Sequence, residues 1–201
     1  MAGVLTRVAT AADVPVIEAL IVRSAAGLNG GHYSGPELAA AMEHIFGIDT
    51  LLVEDGSYFV AERGGEVVGC GGWSARETLF GSDRFAARDD RWLDPASEAA
   101  RIRAFFVDPA HARSGVAGAL LRTSETAALG AGFRRLDLMA TLPGVAFYLA
   151  AGFMAGEPTS YLAGGVPVRF VPMTKQLSDP TGTIRRPASP QVDQRFGGAM
   201  S

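Results

Sequence analysis

The stretch ARIRAFFVDPAHARSGVAGALL, residues 100–121, decides the reading of this chain. Its first ten residues are rich in strand formers. After Pro109 comes a short polar turn, then small and aliphatic residues at helical spacing as far as Gly130 and Gly132, which close the helix. RLDLMA, 135–140, reads as the next strand, so 100–140 is a strand-helix-strand unit. Such a unit closes as a right-handed parallel crossover. The first turn of its helix points free N–H groups outward at the positive end of the helix dipole, where an anion is well placed. Ala112, Ser114, Gly115, Ala117 and Gly118 are all small, and Arg113 adds charge without covering the amides. These are the parts of a pyrophosphate cradle, although small residues at a helix start also serve packing. Two other phosphate motifs do not fit. There is no lysine for a P-loop. Only G-x-x-G stands where a dinucleotide fingerprint needs G-x-G-x-x-G.

Outward from this unit the pattern predicts a mixed α/β domain. Residues 3–9 read as a strand. TAAD, 10–13, starts a helix over 11–27 with Thr10 as N-cap. Ser34 and Glu37 form a capping box with Pro36 between them, and that helix runs to about Phe46. SYFVAER, 57–63, and EVVGCGGWS, 66–74, make an antiparallel hairpin turning at Gly64-Gly65. Glycines inside the second strand imply that something approaches its backbone closely. PGVAFYLAAGF, 143–153, is a short helix. YLAGGVPVRFVPMTK, 161–175, is a second hairpin. Residues 75–98 break the pattern as an insert within a domain spanning 1–177. A polar, proline-bearing tail, 178–201, is expected to be flexible.

Composition narrows the function classes. The chain has 201 residues, 48% hydrophobic and 19% charged, with a net charge of −3. Nothing there demands a nucleic-acid partner, and no apolar run is long enough for a bilayer. Lys175 is the only lysine, and the arginines are scattered. The single Cys70 excludes an internal disulfide and, with no leader at the start, points to the cytoplasm. Cys70 sits in an apolar stretch that suits a buried residue. No His/Cys/Asp set has metal-ligand spacing, so no metal is expected.

VDPAHARSGVAGALL, 107–121, followed by YLAAGF, 148–153, resembles the paired motifs of the GNAT superfamily of acyl-CoA-dependent N-acetyltransferases. The element order is similar too, over about residues 3–175. The resemblance implies a mostly antiparallel mixed sheet with a central parallel β-α-β unit and flanking helices. It implies acetyl-CoA as cosubstrate and direct attack on it by the amine of a small molecule or peptide. Phe105, Phe106, Val107, Ala112, Arg113, Ser114, Gly115, Val116, Ala117, Gly118 and Thr141 would then hold acetyl-CoA, with a backbone N–H among Phe105–Val107 facing the oxyanion. Tyr148 would protonate the leaving thiolate. Ala112 replaces the family's usual Arg or Gln, and Thr141 its frequent Asn. Glu77 is the favoured base, ahead of Glu62, Asp83 and the three histidines, and His111 beside the cradle suits a phosphate or solvent. The acceptor is expected between the first two helices, the His32-Tyr33 loop and the insert, against Trp73, Phe80 and Phe85. A non-catalytic acyl-CoA binder and a nucleotide-binding α/β protein are the competing readings. A homodimer is left open.

Overall fold

The protein is described here by a computed structural model covering residues 3–28, 31–85 and 89–178. The chain opens with strand β1 (Leu5–Val8). Thr10 then starts the first helical segment: its N–H and hydroxyl both donate to Asp13, at 2.8 and 2.9 Å. Arg7 grips both oxygens of the same carboxylate at 2.8 Å, tying β1 to α1 (Val14–Leu28). That guanidinium holds the Asp13 carboxyl well below the usual carboxylate range. The capping box at Ser34–Glu37 is formed, with Ser34 N–H donating to Glu37 at 2.8 Å, and it opens α2 (Gly35–His44). A five-residue helix α3 (Thr50–Glu54) follows. It is too short to leave a periodic signature in sequence.

Strands β2 (Tyr58–Arg63) and β3 (Glu66–Ser74) pair antiparallel across Gly64 and Gly65, both at positive φ (63° and 86°), as a tight hairpin turn of this hand requires. Between β3 and β4 (Ala100–Val107) the described residues of the insert form no helix or longer strand, only a bridge between Arg76 and Trp92. Then come α4 (Val116–Gly130), β5 (Arg135–Thr141), α5 (Val145–Ala150), the two-residue β6 (Met154–Ala155), β7 (Thr159–Ala163) and β8 (Val166–Gln176). The expected tail lies outside the described residues from 179 onward.

The strands form one mixed sheet in the order β1-β2-β3-β4-β5-β8-β6, with β7 on β8. Only β4 and β5 run parallel. Helices cover both faces. On one, Ile17, Leu20 and Ile21 of α1 and Leu52 of α3 pack on Tyr58, Val60 and Phe170. On the other, Leu121 and Ala128 of α4 join Leu136, Leu138 and Phe153, while Val116 and Leu120 meet Phe59 and Val68. Burying each large aliphatic side chain contributes about 1.5–3 kcal/mol. Among the described residues no helix is long and apolar enough to cross a membrane.

The glycines of β3 are explained by what lies against them. A Cβ at Gly69 would meet Val116 Cγ1 at 2.5 Å, and one at Gly71 the Phe105 ring at 2.6 Å. At Gly72 the obstruction is main chain, with the Ser57 carbonyl oxygen at 2.4 Å. Gly72→Ala should therefore cost at least about 1–3 kcal/mol, read as a lowered urea midpoint. Gly35→Ala, where nothing lies within 4 Å, should change it by less than about 0.5 kcal/mol.

Candidate active site

Two residue pairs hold the parallel strands β4 and β5 together, Ala100 with Leu136 and Arg101 with Asp137. Beyond them the strands part, while β5 stays paired with β8 as far as Thr141. The closed end is clamped by charge. Arg101 bonds Asp137 at 3.1 Å and Glu77 at 3.0 Å, and Arg91 bridges Glu77 to Glu98. The open end begins at a bulge. Cys70 faces Phe106, but Gly72 already faces Arg103, so β4 holds one residue more than β3 over this span. Ala104 takes it up at φ +55°, a left-handed conformation costly for a residue with a Cβ. The Tyr58 hydroxyl reaches the Ala104 carbonyl at 3.1 Å and Cys70 Sγ at 3.2 Å, bracing the bulge from beneath.

The gap holds a cavity of about 90 Å³ between β4, β5, the turn after α2 and insert residues 79–81. Phe46, Phe80, Phe105, Phe106 and Phe170 line it, with Thr141 and Tyr148 at the β5 side. Tyr148 is buried beside Phe105, Phe147 and Phe153, and burial raises its phenol well above the ordinary value. It therefore keeps its proton at neutral pH. Among the described residues one charged side chain lines the cavity, Arg103, and it is neutralised. Its guanidinium lies 2.6 Å from Asp49 and donates to the Gly81 carbonyl at 2.8 Å. Both side chains of the pair are sealed from solvent, at 1% and 0% exposure.

Past β4 the chain turns toward α4. Asp108 accepts the Ala110 N–H at 3.0 Å, opening the turn Pro109–His111, and pairs with Arg23 at 3.1 Å. Arg113 (φ +55°) and Gly115 (φ +88°) both adopt the left-handed conformation, which swings the backbone round into α4. The Ser114 hydroxyl donates to the His111 carbonyl at 2.6 Å, and Arg63 donates to the Ser114 carbonyl at 3.0 Å. No side chain caps α4, whose first internal bond runs from Ala119 N–H to the Gly115 carbonyl. The amides of Val116, Ala117 and Gly118 thus precede any intrahelical partner, and a Cβ at Gly115 would meet nothing within 4 Å. An uncapped helix start beside an open strand gap is suited to bind an extended anion.

The sequence-predicted residues divide cleanly. Phe105, Phe106, Thr141 and Tyr148 line the cavity. Val107 and residues 112–118 follow along β4 into the turn. Val107 N–H donates to Ser24 Oγ at 3.2 Å, and the Phe106 N–H bonds Cys70. Glu77, expected as base, sits at the closed end between two arginines and lines no part of the cavity. Glu62 pairs with Arg7, and Asp83 accepts the Thr50 N–H at 3.0 Å. Of the expected apolar wall, Phe80 lines the cavity and Phe85 backs it at 4.8 Å, whereas Trp73 packs on Phe133 elsewhere. Tyr33 is a brace: its hydroxyl donates to the Arg169 carbonyl and accepts the Leu142 N–H. Sequence reasoning missed the Asp49–Arg103 pair. Its one signal was a charged residue inside a central strand, which needs a partner when buried.

The sequence matches the family described as Acetyltransferase (GNAT) over residues 28–153. The chain belongs to the GNAT acetyltransferase family. Its fold is similar to a GCN5-related N-acetyltransferase from Rhodopseudomonas palustris, with TM-score 0.64 at 18% identity over 88% of this chain and 96% of that one. It is similar also to the PaiA N-acetyltransferase from Thermoplasma acidophilum in complex with coenzyme A, with TM-score 0.59 at 12% identity over 87% and 99%. A third such fold is the ribosomal-protein-S18-alanine N-acetyltransferase from Escherichia coli, with TM-score 0.54 at 15% identity over 88% and 96%. No curated protein sequence matches the chain. Within this GNAT member the buried Arg103–Asp49 pair joins β4 to the cavity wall, and breaking it leaves an uncompensated charge. Asp49→Ala should cost about 3–5 kcal/mol, measured by urea unfolding, and Asp49→Leu with Arg103→Met should recover most of it.

Proposed function

We propose that the protein transfers an acetyl group from acetyl-CoA to the amine of a small molecule or peptide by direct attack. One observation carries this reading. The uncapped start of α4 and the cavity holding Tyr148 lie along the same strand, β4. A phosphate-bearing end and a reacting end of one extended molecule would be served by that strand. Val116, Ala117 and Gly118 supply amides to the pyrophosphate, with Ala112, Arg113, Ser114 and Gly115 shaping the turn. Phe105, Phe106, Val107 and Thr141 border the acyl end. When bound, acetyl-CoA supplies an activated thioester.

The chain's own groups then have distinct tasks. Of the three amides considered for the oxyanion, Val107 is engaged by Ser24 and Phe106 by Cys70, which leaves Phe105 for that role. Tyr148 holds its proton at neutral pH and donates to the departing sulfur. Glu77 is set aside as the base because its oxygens are held at the closed end, so the amine's proton leaves through water. Among the described residues no acid or imidazole lines the cavity, and this favours a second reading, a non-catalytic acyl-CoA binder. Tight CoA binding with no turnover for any amine would establish that reading instead.

Gly118→Glu should raise the Kd for CoA at least about tenfold, or 1.4 kcal/mol, by calorimetry. Its thermal midpoint should hold or rise, because glutamate in a first helical turn is favourable and Gly118 faces only the mobile end of Arg122. Unchanged affinity would remove the cradle. Tyr148→Phe should lower kcat by about 10²-fold while the Kd for CoA moves less than about twofold. Equal turnover would reduce Tyr148 to a packing residue.

A further inference from the structure

The cavity wall is unusual in what it can and cannot recognise. Among the described residues it holds no Asp, Glu, His, Lys or Cys. Its one charged residue, Arg103, is bound to Asp49 and to the Gly81 carbonyl, and the pair is sealed from water. A substrate carboxylate entering here would lose its hydration and find the guanidinium already matched to an anion. A second ammonium would find no carboxylate. Desolvating either charge without a partner is costly. The rest of the wall is uncharged: Ile45, Leu79, Ile102, Met139 and the phenylalanines, with Thr141, Tyr148 and main chain at Gly47, Gly81 and Ala104. About 90 Å³ is less than the roughly 150 Å³ that takes a benzene ring, so the cavity takes the reacting end and the rest of the acceptor, an aromatic ring included, lies at its open mouth.

The same wall constrains the amine nitrogen. With no base at the cavity, the amine must arrive as the free base. An amine of pKa about 10.4 is deprotonated in roughly one part in 2,500 at pH 7, and one of pKa about 7.7 in roughly one part in six. Low basicity is thus an advantage the protein does not supply by itself.

Resting on the acetyltransferase reading above, we propose that the acceptor is a small monoamine with neither a carboxylate nor a second cationic centre. The amine nitrogen bonds to the acyl carbon, the carbon–sulfur bond breaks, and the amine's proton passes to water as the thiolate takes one from Tyr148. Tyr148 regains its proton from solvent.

The test is thiol release from acetyl-CoA with benzylamine, aniline, glutamate, 1,4-diaminobutane and an alanine-initiated tetrapeptide. Benzylamine or aniline should exceed the other three in kcat/KM by at least about 100-fold. For benzylamine kcat/KM should rise tenfold per pH unit up to that amine's own pKa, and for aniline it should be flat above neutral pH. Leu79→Glu, which places a carboxylate at a half-exposed wall position, should raise kcat/KM for 1,4-diaminobutane and lower it for benzylamine, each about tenfold. Preference for glutamate, the diamine or the peptide, with CoA binding intact, would overturn this substrate class and leave the transferase reading standing. CoA binding without turnover of any of the five would overturn both.

Discussion

Everything at the site depends on the parting of β4 from β5. A parallel pair is ordinarily held by evenly spaced hydrogen bonds along its length. Here the register ends after Ala100 and Arg101, and the inner edges of both strands are left to find other partners. The chain accommodates this by two means. At the closed end, Glu98, Arg91, Glu77, Arg101 and Asp137 form a continuous run of ion pairs that pins the vertex. At the open end, the bulge at Ala104 redirects β4, and the Tyr58 hydroxyl satisfies the displaced carbonyl. A left-handed alanine costs about 1–2 kcal/mol, and it persists because β3, Tyr58 and the Phe105 ring lying against Gly71 leave β4 no alternative path.

The Arg103–Asp49 pair carries the same constraint outward. Arg103 stands immediately before the bulge, Asp49 precedes α3, and the Gly81 carbonyl belongs to the insert. One guanidinium therefore fixes three separate segments around the cavity. Asp83 adds a second tie from the insert to the start of α3. A buried pair of this kind adds little net stability over a well-packed apolar substitute. What it supplies is geometry: residues 79–81 are held over the strand gap, and the Arg103 charge at the wall is neutralised by its own protein.

The sequence was most legible where local rules act alone. Thr10, the Ser34–Glu37 box, the Gly64-Gly65 turn and the closing glycines of α4 each marked an element boundary that the fold keeps. The strand-helix-strand unit and the motif pair from Val107 to Phe153 were enough for the fold class. Elements whose cause is tertiary left no such trace. Helix α3 is held by Asp83 and by the buried pair, and β6 is two residues borrowed onto β8. Charged residues were the hardest to place. Glu77 stands only two residues before Leu79 of the cavity wall, yet it belongs to the ion-pair clamp. Trp73 failed for the same reason: alternation along β3 sends it to Phe133, on the face opposite Phe80. Which face a residue takes depends on register, and the bulge in β4 is not written in any short motif.

The route of transfer follows from which groups can exchange protons. Cys70 is the one residue in the chain able to form an acyl-thioester. It is fully buried beneath the bulge, hydrogen-bonded to Tyr58 and Phe106, and burial pushes its thiol up to about 12. A thiol in that state is withdrawn from nucleophilic chemistry. Among the described residues no thiol lines the cavity, so a thioester relay through the protein has no group there, in keeping with the proposed attack by the amine itself. The same inventory makes the site asymmetric. On the proposed reading Tyr148 gives a proton at the sulfur, and among the described residues no acid or imidazole at the wall takes one from nitrogen. On the proposed reading, selectivity rests with the substrate's own basicity and with the cost of bringing an unpaired charge past Phe46 and Phe80.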